Sequence, residues 1–457
     1  MVILEGVTRN GEISSGSQSA SARFFKSEVT GSILLLISTI AALTWANSPW
    51  SGSYFQLLHA KIGFLVNDRT FALSWDHWIN DGLMALFFFV VGLEIKREIV
   101  VGQLSTLKKA ILPVAAAAGG MVLPALVYAA LNRGGEGARG WGIPMATDVA
   151  FALGILAIFG QRVPAGLKVF LTALAIADDL GAVLVIALFY TDRISVSPLI
   201  AAGVFLALLV LAARLKVKRI SVYVILVLGV WLAVLASGIH ATVAGILVAA
   251  VVPVRRRIQP ERFFAIARER LAELEASNIR GECATLNSEP MDTLGRLHEA
   301  IGDVVPAGTA LERYLHPVTA YVILPLFALF NAGIVLDSGV VAALANPVGL
   351  GVLLGLLIGK QAGITAASWV VIRCRFADMP AGVTWGQLYG SAILGGVGFT
   401  MALFVSDLAI PSERLLGSSK VAILAGSALC AAAGYLVLRS ALDRVGFSLR
   451  GTPALAP

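Results

Sequence analysis

The chain has 457 residues, 58% of them hydrophobic and 14% charged, with a mean hydropathy of +0.84. Those values exclude a water-soluble domain, because apolar runs longer than the roughly 20 residues that span a bilayer as helix need lipid around them. The net charge of +7 does not mark a nucleic-acid binder: the basic residues fall in short segments between apolar runs, not on one soluble face.

Residues 1–27 are polar and Ser-rich, with no apolar core before Lys26, the pattern of an unstructured tail and not of a cleaved signal peptide. From 28 to 440 the hydropathy predicts one all-α membrane domain of about 12 spans, near 28–46, 77–95, 111–131, 142–160, 169–190, 197–212, 221–237, 240–253, 317–336, 347–372, 387–410 and 418–438. Residues 441–457 form a second tail. In the segment 47–75, Phe71-Ala72-Leu73-Ser74-Trp75 reads as a short strand that covers one face or pairs with another copy. The loop at about 254–316 opens on Arg255-Arg256-Arg257 and carries an amphipathic stretch from Glu261 to Glu275, read as a surface helix with a disordered remainder.

An even number of spans puts both termini on one side. With that side inside, 27 of the 35 Lys and Arg lie in inner segments and seven in outer ones, so the positive-inside rule makes both termini cytoplasmic. Cysteines 283, 374 and 430 have no metal-ligand spacing and read as reduced and incidental.

Ionisable groups at bilayer depth cost about 2.5–3.5 kcal/mol each on insertion scales, so each needs a reason. Asp148 lies in the fourth span, Asp178 and Asp179 near the middle of the fifth, and Lys360 at the centre of the tenth. For Asp148 the plain alternative is an interhelical hydrogen bond. Adjacent residues on a helix point about 100° apart, so Asp178 and Asp179 can meet different partners, one an ion and the other Lys360. At about 12 residues from either end, Lys360 is roughly 18 Å from water, too far to snorkel, and needs a carboxylate or a wet cavity.

Two spans carry helix-breaking chemistry. Pro144 and Ala146-Thr147-Asp148 set a proline and a hydroxyl beside an acid, and Gly395-Gly396-Val397-Gly398 weakens the eleventh span at mid-membrane. Such breaks free backbone carbonyls that can coordinate a cation. Close packing is the competing explanation for Gly395, Gly396 and Gly398. Asp81, Glu94, Arg97 and Glu98 occupy the ends of the second span, where interfacial charge is the plain reading. Glu94 reaches deepest, and His240 begins a span as either an interfacial or a pH-responsive histidine.

Several strings together are similar to one known family: INDGLMALFFFVVGLEIKRE at 79–98, MATDVAFALG at 145–154, ALAIADDLGAVLVIALFY at 173–190, SGIHATVAGI at 237–246, LHPVTAYVILPLFALFNAGI at 315–334, GKQAGI at 359–364 and GGVGFTMALF at 395–404. The chain resembles the NhaA sodium/proton antiporters over most of residues 24–440. The resemblance implies inverted-topology repeats, spans three to five against ten to twelve, whose fourth and eleventh helices are discontinuous and cross at mid-membrane. It makes Asp179 the central Na+ ligand, Asp178 its partner paired with Lys360, and Asp148 and Thr147 lining residues that offset the half-helix dipoles. A pH-sensing cluster at the cytoplasmic mouth maps onto Glu94, Arg97, Glu98, Glu312 and His316, with His240 a further histidine linked to pH response. Arg313 departs from the pattern, where a histidine is usual, and so does the longer loop at 254–316.

The expected activity is exchange of Na+ or Li+ for protons at one site in a bacterial inner membrane, electrogenic at two protons per sodium and pH-regulated. No cofactor and no enzymatic step are expected, and the partners are the two ions, the bilayer and, by resemblance, a second copy in a homodimer. Hard oxygen ligands suit these cations, and adjacent acids titrate as a coupled system. An intramembrane aspartyl protease is the rival from another class, but adjacent aspartates on one helix are poorly arranged for a shared-proton dyad. A passive cation channel is the other rival.

Overall fold

The structure is a computed structural model that describes residues 14–66, 69–191, 194–215, 217, 219–255, 260–276, 295, 306–336 and 339–450. Among them, eight helices are long and apolar enough to cross a membrane, and a ninth span results if the bent pair Trp385–Gly395 and Phe399–Ala409 counts as one. Met84–Val100, Ser221–Ser237 and Ala241–Val251 are shorter apolar helices. The protein is therefore an all-α membrane protein, as its composition demands.

The first helix begins at Ser14, inside the expected tail, and runs to Ala46. No proline interrupts Ser14–Lys26, and once the apolar span nucleates a helix, each added residue gains a hydrogen bond at little further cost. The last helix, Glu413–Arg450, passes the expected boundary at 440 for the same reason: the first proline after it is Pro453. The expected strand is half of an antiparallel pair, Lys61–Val66 with Arg69–Ser74, in register from Lys61 opposite Ser74 to Val66 opposite Arg69. Trp75 starts the next helix and is not part of the strand. Of the loop at 254–316, the amphipathic stretch forms the helix Pro260–Ala276, while 256–259, 277–294 and 296–305 lie outside the described residues, as does Cys283.

What places the centre of the molecule is a row of small residues. Gly355, Gly359 and Gly363 recur every fourth residue along Pro347–Arg373, so they share one helix face. A Cβ on Gly355 would stand 2.6 Å from the Pro144 Cβ, and one on Gly359 2.7 Å from the Pro124 Cα. Gly363 and Gly119 lie backbone to backbone, and a Cβ on either would collide with the carbonyl of the other. In lipid, helices associate through such close approach, since no hydrophobic drive separates helix from acyl chain. Lys360 sits inside this row, at the end of a wider π-helical turn, Gly355–Lys360.

Apolar contact forms three clusters. One runs from Leu35 through Phe88, Ile176 and Phe327 to Phe404, a second from Leu112 through Leu156 and Leu174 to Leu442, and the third joins Leu209, Val230 and Val248. The charged centre lies between the first two. Close packing of Gly119 against Gly363 predicts that Gly363→Ala lowers the melting temperature in detergent, at a cost of about 1–3 kcal/mol. Gly203→Ala, in a helix where an added Cβ meets nothing within 4 Å, serves as the control; equal melting of the two variants contradicts this packing.

Candidate ion-binding site

Asp178 and Asp179 follow each other near the middle of the helix Ala165–Phe189 and are 2% and 5% exposed. Their side chains diverge as the 100° step per residue requires. Asp178 turns to Lys360, with its Oδ2 2.7 Å from Nζ, while Lys360 is 1% exposed and also donates to the Met145 carbonyl. The Oδ1 of Asp178 is buried with no hydrogen-bond partner. Asp179 faces a cavity of about 90 Å³ that also admits Glu94, Asp148, Thr172, His316 and Thr400. No cation pairs with Asp179 among the described residues.

Around Asp148 the chain is interrupted. A 3₁₀ turn, Ala138–Met145, ends in extended backbone at Ala146, and the helix Val149–Ile158 starts only after Asp148. Asp148 caps that helix, its Oδ1 accepting from the Phe151 N–H at 3.0 Å. Its Oδ2 accepts from the Thr400 N–H at 3.2 Å and from the Thr400 hydroxyl at 2.5 Å. Both oxygens of this buried acid are thus engaged, one at each of two helix N-termini, where amide dipoles favour negative charge.

The second interruption faces the first. Trp385–Gly395 and Phe399–Ala409 meet at 42°, and the Thr147 hydroxyl donates to the Gly395 carbonyl at 2.7 Å while the Asp148 N–H donates to the Val397 carbonyl at 2.7 Å. The carbonyls of Met145, Gly395 and Val397 therefore each accept a hydrogen bond from this chain's own donors. Gly396 and Gly398 have ordinary right-handed backbone. They serve closeness: a Cβ on Gly396 would stand 2.7 Å from the Leu356 carbonyl, and one on Gly398 3.1 Å from that of Ala146.

A second charged cluster lies at the end of the helix Met84–Val100. Arg97 bonds both oxygens of Glu312 through Nε at 3.0 Å and reaches Glu98 through Nη1 at 2.8 Å. Glu98 also accepts from the Gln103 N–H at 2.7 Å. Arg97, Glu98 and Glu312 form the ion-pair cluster, and Glu94 and His316, whose charges act on Arg97 and on Glu312, also line the cavity with Asp179. His240 joins neither. It precedes the helix Ala241–Val251, whose opposite end holds Lys96 through the Ala250 and Val252 carbonyls, about 15 Å away along the helix. Arg313 is exposed beside Glu312.

Thr400 is the site residue that the sequence reading passed over, although it stands in GGVGFTMALF just past the glycines, as Thr147 stands beside Asp148. Ser427, which accepts from the Phe399 N–H at 3.0 Å, carried no comparable signal.

A family profile described as Na+/H+ antiporter 1 matches residues 22–438. The Na(+)/H(+) antiporter NhaA of Oleidesulfovibrio alaskensis is 45% identical over 420 residues, covering 91% of this chain and 93% of the relative. NhaA 2 of Syntrophotalea carbinolica is 44% identical over 423 residues, 92% of this chain and 96% of its own. The NhaA of Sulfurimonas denitrificans is 43% identical over 419 residues, 91% and 94%. With coverage this complete and identity this high, the chain belongs to the Na+/H+ antiporter 1 family.

Proposed function

We propose that this protein exchanges Na+ or Li+ for protons across the bacterial inner membrane, with Asp179 as the carboxylate that the two ions share. One observation carries the reading: of two adjacent buried acids, Asp178 is paired with Lys360, and Asp179 is left facing a cavity that Glu94, Asp148, Thr172, His316 and Thr400 also line. A cavity of about 90 Å³ is several times the volume needed to hold one water, so a partly hydrated cation fits. Na+ binds deprotonated Asp179 and neighbouring oxygens, and protons displace it when the site faces the acidic side. Asp148 contributes a second carboxyl group at the cavity wall.

Twelve spans fit this function, with the segments around Asp148 and around Val397 as discontinuous helices of two inverted repeats, both termini cytoplasmic, and the subunits paired in a homodimer. Two protons per sodium move net charge, and each charge is worth about 2.3 kcal/mol per 100 mV, so the membrane potential drives sodium out. The second proton rides on Asp178 or on Lys360 once their ion pair parts. Arg97, Glu98 and Glu312 are positioned to gate entry with pH through their ion pairs, with Glu94 and His316 nearer the cavity.

Asp179→Asn is expected to abolish Na+-dependent dequenching of a pH dye in everted vesicles; retained exchange refutes the assignment. A channel is separated by imposing a Na+ gradient, which drives protons uphill in an antiporter and not in a channel. For the ion pair, Lys360→Met leaves a buried carboxylate uncompensated and should cost about 3–5 kcal/mol of stability. The double variant Asp178→Asn/Lys360→Met should melt close to wild type, and a double variant as unstable as Lys360→Met contradicts the pairing.

A further inference from the structure

The long helix Glu413–Arg450 touches both interrupted segments through ion pairs. Arg162, just past the helix Val149–Ile158, pairs with Asp443. Asp407, near the end of Phe399–Ala409, pairs with Lys420 at 2.8 Å. Lys420 and Asp443 are about 35 Å apart along the helix, so the two pairs lie at opposite membrane faces. They differ in surroundings. The side chains of Arg162 and Asp443 are 58% and 54% exposed, where an ion pair contributes little, while those of Asp407 and Lys420 are each 17% exposed. The Oδ2 of Asp407 is buried without a hydrogen-bond partner, and so is the Oδ1 of Asp76, the other acid whose field reaches Asp407. Lys420 is the ion-pair partner of Asp407, and its loss leaves Asp407 uncompensated.

Phe399–Ala409 is held at its other end as well, where Ser427 of the same long helix accepts from the Phe399 N–H. Two attachments about 12 Å apart fix both the place and the tilt of a rigid rod. Thr400, one residue past Phe399, holds Asp148 through two hydrogen bonds, so the tilt of this half-helix decides where the Asp148 carboxylate stands in the cavity.

We propose that Asp407 and Lys420 are positioning residues for ion binding: their ion pair clamps the half-helix Phe399–Ala409 to the long helix and thereby fixes Asp148. The inference rests on the exchange reading above. Neither residue lines the cavity, so their effect reaches the ion through the half-helix, by way of Thr400 with Asp148 and of Met401, which lines the cavity as well. The test compares Lys420→Met, Asp407→Asn, Lys420→Arg and the reversed pair D407K/K420D in everted vesicles, reading the apparent KM for Na+ and the maximal rate. Lys420→Met and Asp407→Asn should each raise KM about fivefold with the maximal rate within about twofold of wild type. Lys420→Arg should keep the wild-type KM, and the reversed pair should recover most of the affinity. A wild-type KM in either neutralised variant overturns the proposal, as does a reversed pair no better than the single variants. Should Lys420→Met fail to reach the membrane, Asp407→Asn against Lys420→Arg decides by the same criterion. A wild-type KM in these variants beside a dead Asp179→Asn refutes the clamp alone, whereas exchange surviving in Asp179→Asn refutes the exchange reading itself.

Discussion

Withdrawing an ammonium and a carboxylate from water costs several kcal/mol for each ion, and in lipid there is no solvent to fall back on. Lys360 and Asp178 meet that cost together at 2.7 Å, and the Met145 carbonyl accepts a further hydrogen bond from the ammonium. Much of the central architecture follows from this pair. Lys360 reaches Asp178 where Pro347–Arg373 approaches Leu107–Leu131 closely, and the glycines at 359 and 363 permit that approach. Because Asp178 is occupied, its neighbour Asp179 is the acid left to the cavity.

The two interruptions obey the same accounting of polar groups. A helix broken inside a membrane exposes amides and carbonyls that lipid cannot satisfy. Here each break satisfies the other: Asp148 and Thr147 donate to Val397 and Gly395, and Thr400 donates back to Asp148. The result is a crossing that is rigid in its hydrogen bonds yet places one carboxylate, Asp148, at two helix N-termini.

Expensive groups were legible in the sequence and inexpensive ones were not. A charge at mid-membrane must have a partner, so Lys360 called for a carboxylate before any coordinates, although only the family resemblance singled out Asp178 over Asp179. Thr400 and Ser427 are neutral hydroxyls that cost little in a helix, and nothing local separates them from packing residues. The fourfold spacing of Gly355, Gly359 and Gly363 is visible in the sequence, but its meaning depends on Gly119, Pro124 and Pro144, which only tertiary contact brings opposite. The helix ends at Ser14 and Arg450 were missed because polar composition was read as disorder where nothing breaks the helix.

The central claim is that one carboxylate, Asp179, serves Na+ and H+ in turn. The most direct measurement is Na+ binding to purified protein by calorimetry across pH 6 to 9, in buffers of different ionisation heat. Shared occupancy predicts proton release on Na+ binding and an apparent Na+ affinity that falls by about tenfold per pH unit on the acid side. An affinity independent of pH, with no protons released, contradicts a shared site.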